Sequence, residues 1–320
     1  MNYTDEVKRE IYAQVLSESH DKKLSYLTGV TKSLAQINAF KKDDEILTYE
    51  IKDASLANVV SNLLMELFDI EHEIEYVDIE PKMYVITLFG DKANSMLKSM
   101  NLSHYEGDNF VEMTNSSHID KISNMEKAEG YLQGIFSALG SVYYPYLDEN
   151  LEKKDRGYHL EIIFLEKEHA LSTQKMLDEC KIPLTYIERE TTFALYSKSS
   201  ERISDVLAFL GASNAVLQLN NISVQLYMNN EINRVSNIEA ANMDKVAIAN
   251  AKYIEAIEQI DKKIGIKHIQ DEKLRLVCEE RLKDRLSSLS ALATKLNMTK
   301  SSLNRLFAKV LKLRDQLEEK

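Results

Sequence analysis

Apolar positions in this chain follow two spacings, and each spacing names an element. Leu47, Tyr49 and Ile51 alternate with polar neighbours, which predicts a strand over Ile46–Ile51. Leu56, Val59, Val60, Leu63, Leu64 and Leu67 recur every three or four residues, which predicts a helix over Ala54–Phe68 with Asp53 as its N-cap. Strands are expected at Glu73–Val77 and Met83–Phe89, then a helix at Lys92–Met100. The same order returns further on. Tyr158–Phe164 reads as a strand and Lys167–Cys180 as a helix. Leu184–Arg189 and Phe193–Ser197 read as strands joined by a Glu-Thr turn, and Ser200–Leu210 as a helix stopped by Gly211. A helix running into a strand opens each copy, at Lys23–Leu34 and, about 108 residues later, at Tyr131–Val142. Each half therefore reads αββαββα, and a structural duplication is the simplest account.

Glu106–Glu126, with its Gly, Asn and Ser content, reads as the connector between the halves. A polar segment, Asn229–Asn242, leads into a helix at Met243–Ile264, whose stripe is Val246, Tyr253, Ile257, Ile260 and Ile264 and which Gly265 can close. It is either a spacer packed on a neighbouring domain or a helix of the first domain. The expected class is α+β, with a duplicated domain at 1–228 (halves about 1–115 and 126–228). A linker and spacer helix at 229–268 and an all-α domain at 269–320 follow.

Leu286–Arg314 carries the pattern of a helix-turn-helix. Leu292, Leu296, Met298, Leu303 and Leu306 supply the apolar set that fixes the crossing of two helices, and Ala293 is the small residue where they touch. Asn297 stands in the turn, where a residue tolerant of positive φ is needed, and Thr299 can cap the second helix. That helix presents Thr299, Lys300, Ser301, Ser302, Asn304, Arg305 and Lys309 to solvent. An ordinary helical hairpin has no need of such a row. Hydroxyls, amides and cations suit phosphate oxygens and base edges. Asn304 and Arg305 are the candidates for bases, and Lys300, Lys309 and Lys312 for phosphate, with Lys295 adding charge beside them.

Charge distribution strengthens that reading. The net charge of −11 is wrong for a nucleic-acid binder, but residues 1–230 carry −15 and residues 231–320 carry +4. Leu286–Arg314 holds six basic residues and no acidic one. Such a stretch is either a solvated helix face or a local field for phosphate. Other chemistries lack their signatures. Cys180 and Cys278 are 98 residues apart without a Cys-x-x-Cys partner, no His-x-x-x-His occurs, and no two of the nine glycines lie closer than four residues. No metal, cofactor or catalytic residue is expected. No run of 18 apolar residues exists and Asp5, Glu6 and Glu10 interrupt the N-terminus, so a cytoplasmic, nucleoid-associated protein without membrane contact is expected.

Glu129–Val142 reads Glu-Gly-Tyr-Leu-Gln-Gly-Ile-Phe-Ser-Ala-Leu-Gly-Ser-Val. This resembles the LAGLIDADG motif of homing endonucleases, through Leu132, Gly134, Gly140 and Ser141. Leu24–Ser33 is a more degenerate copy. With the C-terminal motif, the chain resembles the WhiA family of bacterial regulators. Asn233–Lys245, Gly157–Ile162 and Thr299–Ser301 with Asn304 match that family's motifs. The resemblance implies a non-catalytic DNA-binding regulator of transcription, acting in cell division or sporulation. It also implies junction contacts at Arg234, Asn237, Asn242 and Lys245. Lys32 stands where a Gly is expected, Ser302 where Gly is common and Leu306 where Arg is frequent.

In the nucleases each motif helix ends in a carboxylate that holds divalent metal. The matching positions are read as Thr31 and Leu139, neither an anion, and Glu129 lies about 15 Å away up its helix at 1.5 Å per residue. A nuclease with displaced ligands is the enzymatic alternative. Glu71, Glu73 and Glu75 alternate with His72, Ile74 and Tyr76, the better core face. The Glu face is either the side that would meet DNA, where it repels phosphate, or an edge kept charged against aggregation. The first of these leaves the domain to a protein partner or a small ligand, an interaction scaffold. The duplication supplies an internal pseudo-dimer, so a monomer is expected.

Overall fold

The structure is a computed structural model and describes residues 3–38, 45–78, 80–145 and 157–318. It divides into two compact units, Met1–Tyr227 and Met228–Lys320. The first half of the first unit runs α1 (Tyr3–Val15), α2 (His20–Leu34), β1 (Ala35–Ile37), β2 (Glu45–Ile51), α3 (Ala54–Phe68), β3 (Glu75–Val77), β4 (Met83–Phe89) and α4 (Gly90–Ser99). A hairpin, β5 (His104–Glu106) and β6 (Asn109–Val111), and a 3-10 turn at Ser117–Lys121 follow. The second half runs α5 (Met125–Leu139), β7 (Gly140–Tyr143), β8 (His159–Phe164), α6 (Lys167–Glu179), β9 (Thr185–Glu188), β10 (Phe193–Ser197) and α7 (Ser200–Phe209). The expected αββαββα order is present twice, in antiparallel sheets of order β1-β2-β4-β3 and β7-β8-β10-β9.

The centre of this unit is the pair α2 and α5, each 15 residues long. Ser19 caps α2 by accepting from Lys22 N, and Asn124 caps α5 by accepting from Lys127 N. The two backbones touch. A Cβ on Gly29 would stand 2.5 Å from Tyr131 O, one on Gly130 would stand 2.5 Å from Lys22 O, and one on Gly134 would overlap Tyr26 O. Only glycine permits that approach. Side chains then lock the pair: Tyr26 Oη donates to Ser137 Oγ at 3.1 Å, and Lys22 Nζ donates to Glu129 at 2.6 Å. Lys32 does not disturb the packing. It lies past the crossing, where its Nζ donates to Asn115 (2.8 Å) and Glu166 (2.6 Å).

Four expectations change. The Glu106–Glu126 connector is structured: Tyr105 and Phe110 stack edge-on at 5.2 Å, and Asn94 holds both backbone groups of Tyr105. Glu71 and Glu73 lie outside the strand, because the His72 ring bridges Ile70 O (2.9 Å) and Ser61 Oγ (2.7 Å) and holds that segment as a loop. Ile74, in the loop before β3, and Tyr76, on that edge strand, are exposed rather than core, and Tyr76 leans on Tyr84 at 5.3 Å. The polar segment Asn229–Asn242 is helical.

That segment lies inside α8 (Ser213–Ile264), 52 residues bounded by Gly211 (φ 74°) and Gly265 (φ 78°). No Gly or Pro interrupts it, so nothing local stops the helix although its polar residues are weak helix formers. In the second unit α8 is followed by a 3-10 turn at Ile266–His268, α9 (Glu272–Lys283), α10 (Leu289–Lys295) and α11 (Lys300–Glu318). Ala256, Ile257 and Ile260 of α8 share one core with Val277, Cys278, Leu292, Leu303, Phe307 and Val310. The C-terminal unit therefore begins near 228, not at 269. Among the described residues no helix is long and apolar enough to cross a membrane.

Gly134→Ala is expected to cost about 3 kcal/mol by forcing the helices apart. Gly157→Ala, with open space around it, should change stability by less than about 0.5 kcal/mol. Urea unfolding of the two variants checks both.

A second expectation concerns pH. Tyr131 Oη, on α5, is bonded to buried His118 and lies 3.0 Å from His169 Nε2. Burial, and then the nearby Lys32 charge, pushes His118 down to about 3; burial, and then His118 and Lys32, pushes His169 well below its ordinary value. Both rings are neutral when folded, and the unfolded chain binds their protons near pH 6.5. Stability present above pH 6.5 is thus lost as pH falls toward 3. His118 alone should remove roughly 2 kcal/mol between pH 7 and pH 5. His118→Gln should flatten the pH dependence of the urea midpoint in that window; an unchanged slope would place the acid lability elsewhere.

Candidate nucleic-acid interface

The helix-turn-helix is α10 and α11. Ser288 caps α10 by accepting from Ala291 N at 3.1 Å. The helix closes through Asn297, at φ 49°, with Asn297 N bonded to Thr294 O (3.1 Å) and Met298 N to Ala293 O (2.9 Å). Such a left-handed turn suits Gly first and Asn next. Thr299 Oγ1 then accepts from Ser302 N at 3.1 Å and starts α11. Leu292, Ala293, Leu303 and Leu306 are buried between the helices, and Leu296 and Met298 are half-buried. The departure at Leu306 is thus explained by packing, since an Arg there would be desolvated.

Thr299, Lys300, Ser301, Ser302, Asn304, Arg305, Lys309 and Lys312 are all exposed, as is Lys295 on α10. Two of these cations are not the unpaired charges the sequence suggested. Lys309 lies 3.1 Å from Asp271, and Lys295 lies 3.0 Å from Glu280. Lys309, and then backbone donors at the start of α9, hold the Asp271 carboxyl below its usual range; Lys283 and then Lys295 do the same for Glu280. Exposed pairs of this kind are weak and can exchange for phosphate. Lys300, Arg305 and Lys312 make no ion pair among the described residues. The junction residues Arg234, Asn237, Asn242 and Lys245 are exposed on α8, and Arg234 lies 3.5 Å from Glu231.

Sequence reasoning missed Arg281. Its side chain is fully buried; Nη1 donates to Ser287 O at 2.8 Å, and the guanidinium lies 5.5 Å from the centre of the Phe307 ring. Phe307 in turn stacks on Tyr253 of α8 at 4.3 Å. This stack ties the segment entering α10 to α11 and α8. The one signal was spacing: Leu274, Val277, Cys278 and Arg281 fall on one helical face.

In the first unit the equivalence of α2 and α5 corrects one position. Both helices end where a strand begins, at Leu34 before Ala35 and at Leu139 before Gly140. The counterpart of Leu139 is therefore Leu34. Thr31 is a turn earlier and buried, bonded to Leu27 O (2.7 Å) and Tyr49 Oη (2.7 Å). Neither helix ends in a carboxylate, and among the described residues no cluster of His, Cys, Asp and Glu could hold a metal.

Strand register defines the sheet faces that the helices leave open. On the first sheet they carry Gln36, Thr48, Glu50, Glu75, Val85 and Thr87. On the second they carry Ser141, His159, Glu161, Ile163, Ile187 and Tyr196. None of these is Lys or Arg. Arg189, beside β9, is paired with the buried Glu161. Glu75 thus belongs both to the open face and to an edge strand.

Residues 128–229 match the family model for the WhiA LAGLIDADG-like domain, and residues 232–314 match that for the WhiA C-terminal HTH domain. A probable cell division protein WhiA of Ligilactobacillus salivarius is 28% identical over 99% of this chain and 97% of its own length. That of Bacillus subtilis is 27% identical over 99% and 97%. The crystal structure of full-length WhiA from Thermotoga maritima is similar in fold, with a TM-score of 0.54, 23% identity and coverage of 96% of this chain and 97% of that one.

Supercoiled plasmid incubated with the full chain and Mg²⁺ or Mn²⁺ is expected to stay uncut, because no carboxylate pair stands at Leu34 and Leu139 to hold the ions. Metal-dependent nicking on an agarose gel would contradict this.

Proposed function

The chain belongs to the WhiA family, and on that premise we propose that it is a non-catalytic transcriptional regulator that binds double-stranded DNA through α11. The observation that carries this reading is the exposed row Lys300, Ser301, Ser302, Asn304 and Arg305 at the start of the second helix of the motif. Asn304 and Arg305 read base edges, while Lys300, Lys309 and Lys312 meet phosphate. Lys295 adds to the field, and Thr299 orients the first turn. Arg234, Asn237, Asn242 and Lys245 are a secondary contact. The relatives are named as probable cell division proteins, which supports a role in cell division; sporulation control and nucleoid association in the cytoplasm are part of the same reading. The N-terminal unit does not grip phosphate: its open strand positions offer Glu50 and Glu75 and no Lys or Arg. It meets a protein partner or a small ligand instead, and its duplication is consistent with a monomer.

Genome-wide crosslinking supplies a bound fragment, and titration of that fragment tests the contacts. Lys300→Ala with Arg305→Ala should weaken binding by at least about tenfold and reduce the slope of log K against log salt by about 1 to 2. Unchanged affinity would move the contact away from α11, toward Arg234 and Lys245.

A further inference from the structure

A groove of about 640 Å³ opens in the second unit, between α8 and the segment leading into α10. Small-molecule sites span roughly 300–1,000 Å³ and are mostly apolar with a few directed polar groups. Met243, Val246 and Ile254 form one wall here and Leu286 the other. Leu286 is 93% exposed and Met243 72%, so two large apolar side chains flank the mouth uncovered.

Three polar side chains give the groove direction. Arg285 stands at the rim, 2.8 Å from Glu258, with about half of its side chain in solvent. Ser288 uses an oxygen lone pair to cap α10, which leaves its hydroxyl proton out of that bond. Asn250 lines the groove at 4% exposure; its Nδ2 donates to Ser287 O at 3.0 Å, and its buried Oδ1 has no donor among the described residues. A buried amide oxygen lacking a donor is costly. A cation and a hydroxyl donor on one side, and a buried acceptor on the other, ask for a specific kind of molecule. A helix from a second copy would use the apolar walls and leave the acceptor unmet.

We propose that this groove binds a small apolar organic anion carrying one N–H or O–H donor. Its acidic group sits at Arg285 and Ser288, its apolar body lies between Val246, Ile254 and Leu286, and its donor meets Asn250 Oδ1. Ser287 and Ser288 join the groove to the start of α10, so an occupant stiffens the entry to the helix-turn-helix. The site stands whether or not α11 reads DNA.

Anilinonaphthalene sulfonate has this chemistry, and phenylnaphthylamine lacks only its sulfonate. With the full chain, the sulfonate dye should show saturable fluorescence enhancement at one site per chain. Ala247→Trp, which fills the groove from an exposed position, should abolish it while leaving the thermal midpoint in place. Arg285→Ala should weaken the sulfonate dye by about tenfold and leave phenylnaphthylamine unaffected. Equal affinity for the two dyes, or binding indifferent to both variants, would overturn the proposal. So would self-association of the chain in sedimentation that Ala247→Trp disrupts.

Discussion

The backbones of α2 and α5 run against each other at Gly29, Gly130 and Gly134, with carbonyl oxygens where side chains would otherwise stand. Everything in the N-terminal unit is placed by that contact. It brings Tyr26 to Ser137 and Lys22 to Glu129. β1 and β7 then leave from equivalent positions at the ends of the two helices, and each starts its own sheet. The glycines lose helix propensity, about 1 kcal/mol each relative to Ala. The close packing of two 15-residue helices offsets that loss.

The same contact also fixes which residues of the two helices correspond. It aligns Leu34 with Leu139, at the two positions where a metal-dependent nuclease needs anions. Lys32, a turn back along α2, is held by Asn115 and Glu166. The open strand faces carry glutamates, Tyr196 and Ile187 in place of cations. The other unit has a charge balance of the opposite sign.

In that unit a short motif leans on a buried cation. α10 has seven residues, too few to be stable alone. Arg281 anchors the segment before it, and Phe307 and Tyr253 anchor the helix after it. The exposed row on α11 is presented by this stack.

Much of the architecture was legible in the chain itself, because its signals are local. Alternation at Leu47, Tyr49 and Ile51, helical spacing from Leu56 to Leu67, the caps Asp53 and Thr299, and Asn297 in its turn each act within a few residues. The structure keeps them all. Other features depended on residues far apart. Thr31 looked like the end of its motif because a degenerate copy offers no register; only the pairing of α2 with α5 shows that Leu34 is the counterpart of Leu139. Ile74 and Tyr76 looked like core because alternation reports a face but not whether a neighbouring strand covers it. Arg281 carries no signal beyond its place on one helical face, and the Ser287 carbonyl and the Phe307 ring that bury it are unmarked by any local pattern. The sequence by itself determined the repeated strands and helices of the two halves, the duplication and the helix-turn-helix with its exposed row on α11. Tertiary structure alone decided which charges are paired, which apolar residues stay uncovered and where the two helix backbones touch, since those follow from close approach between segments that no local spacing encodes.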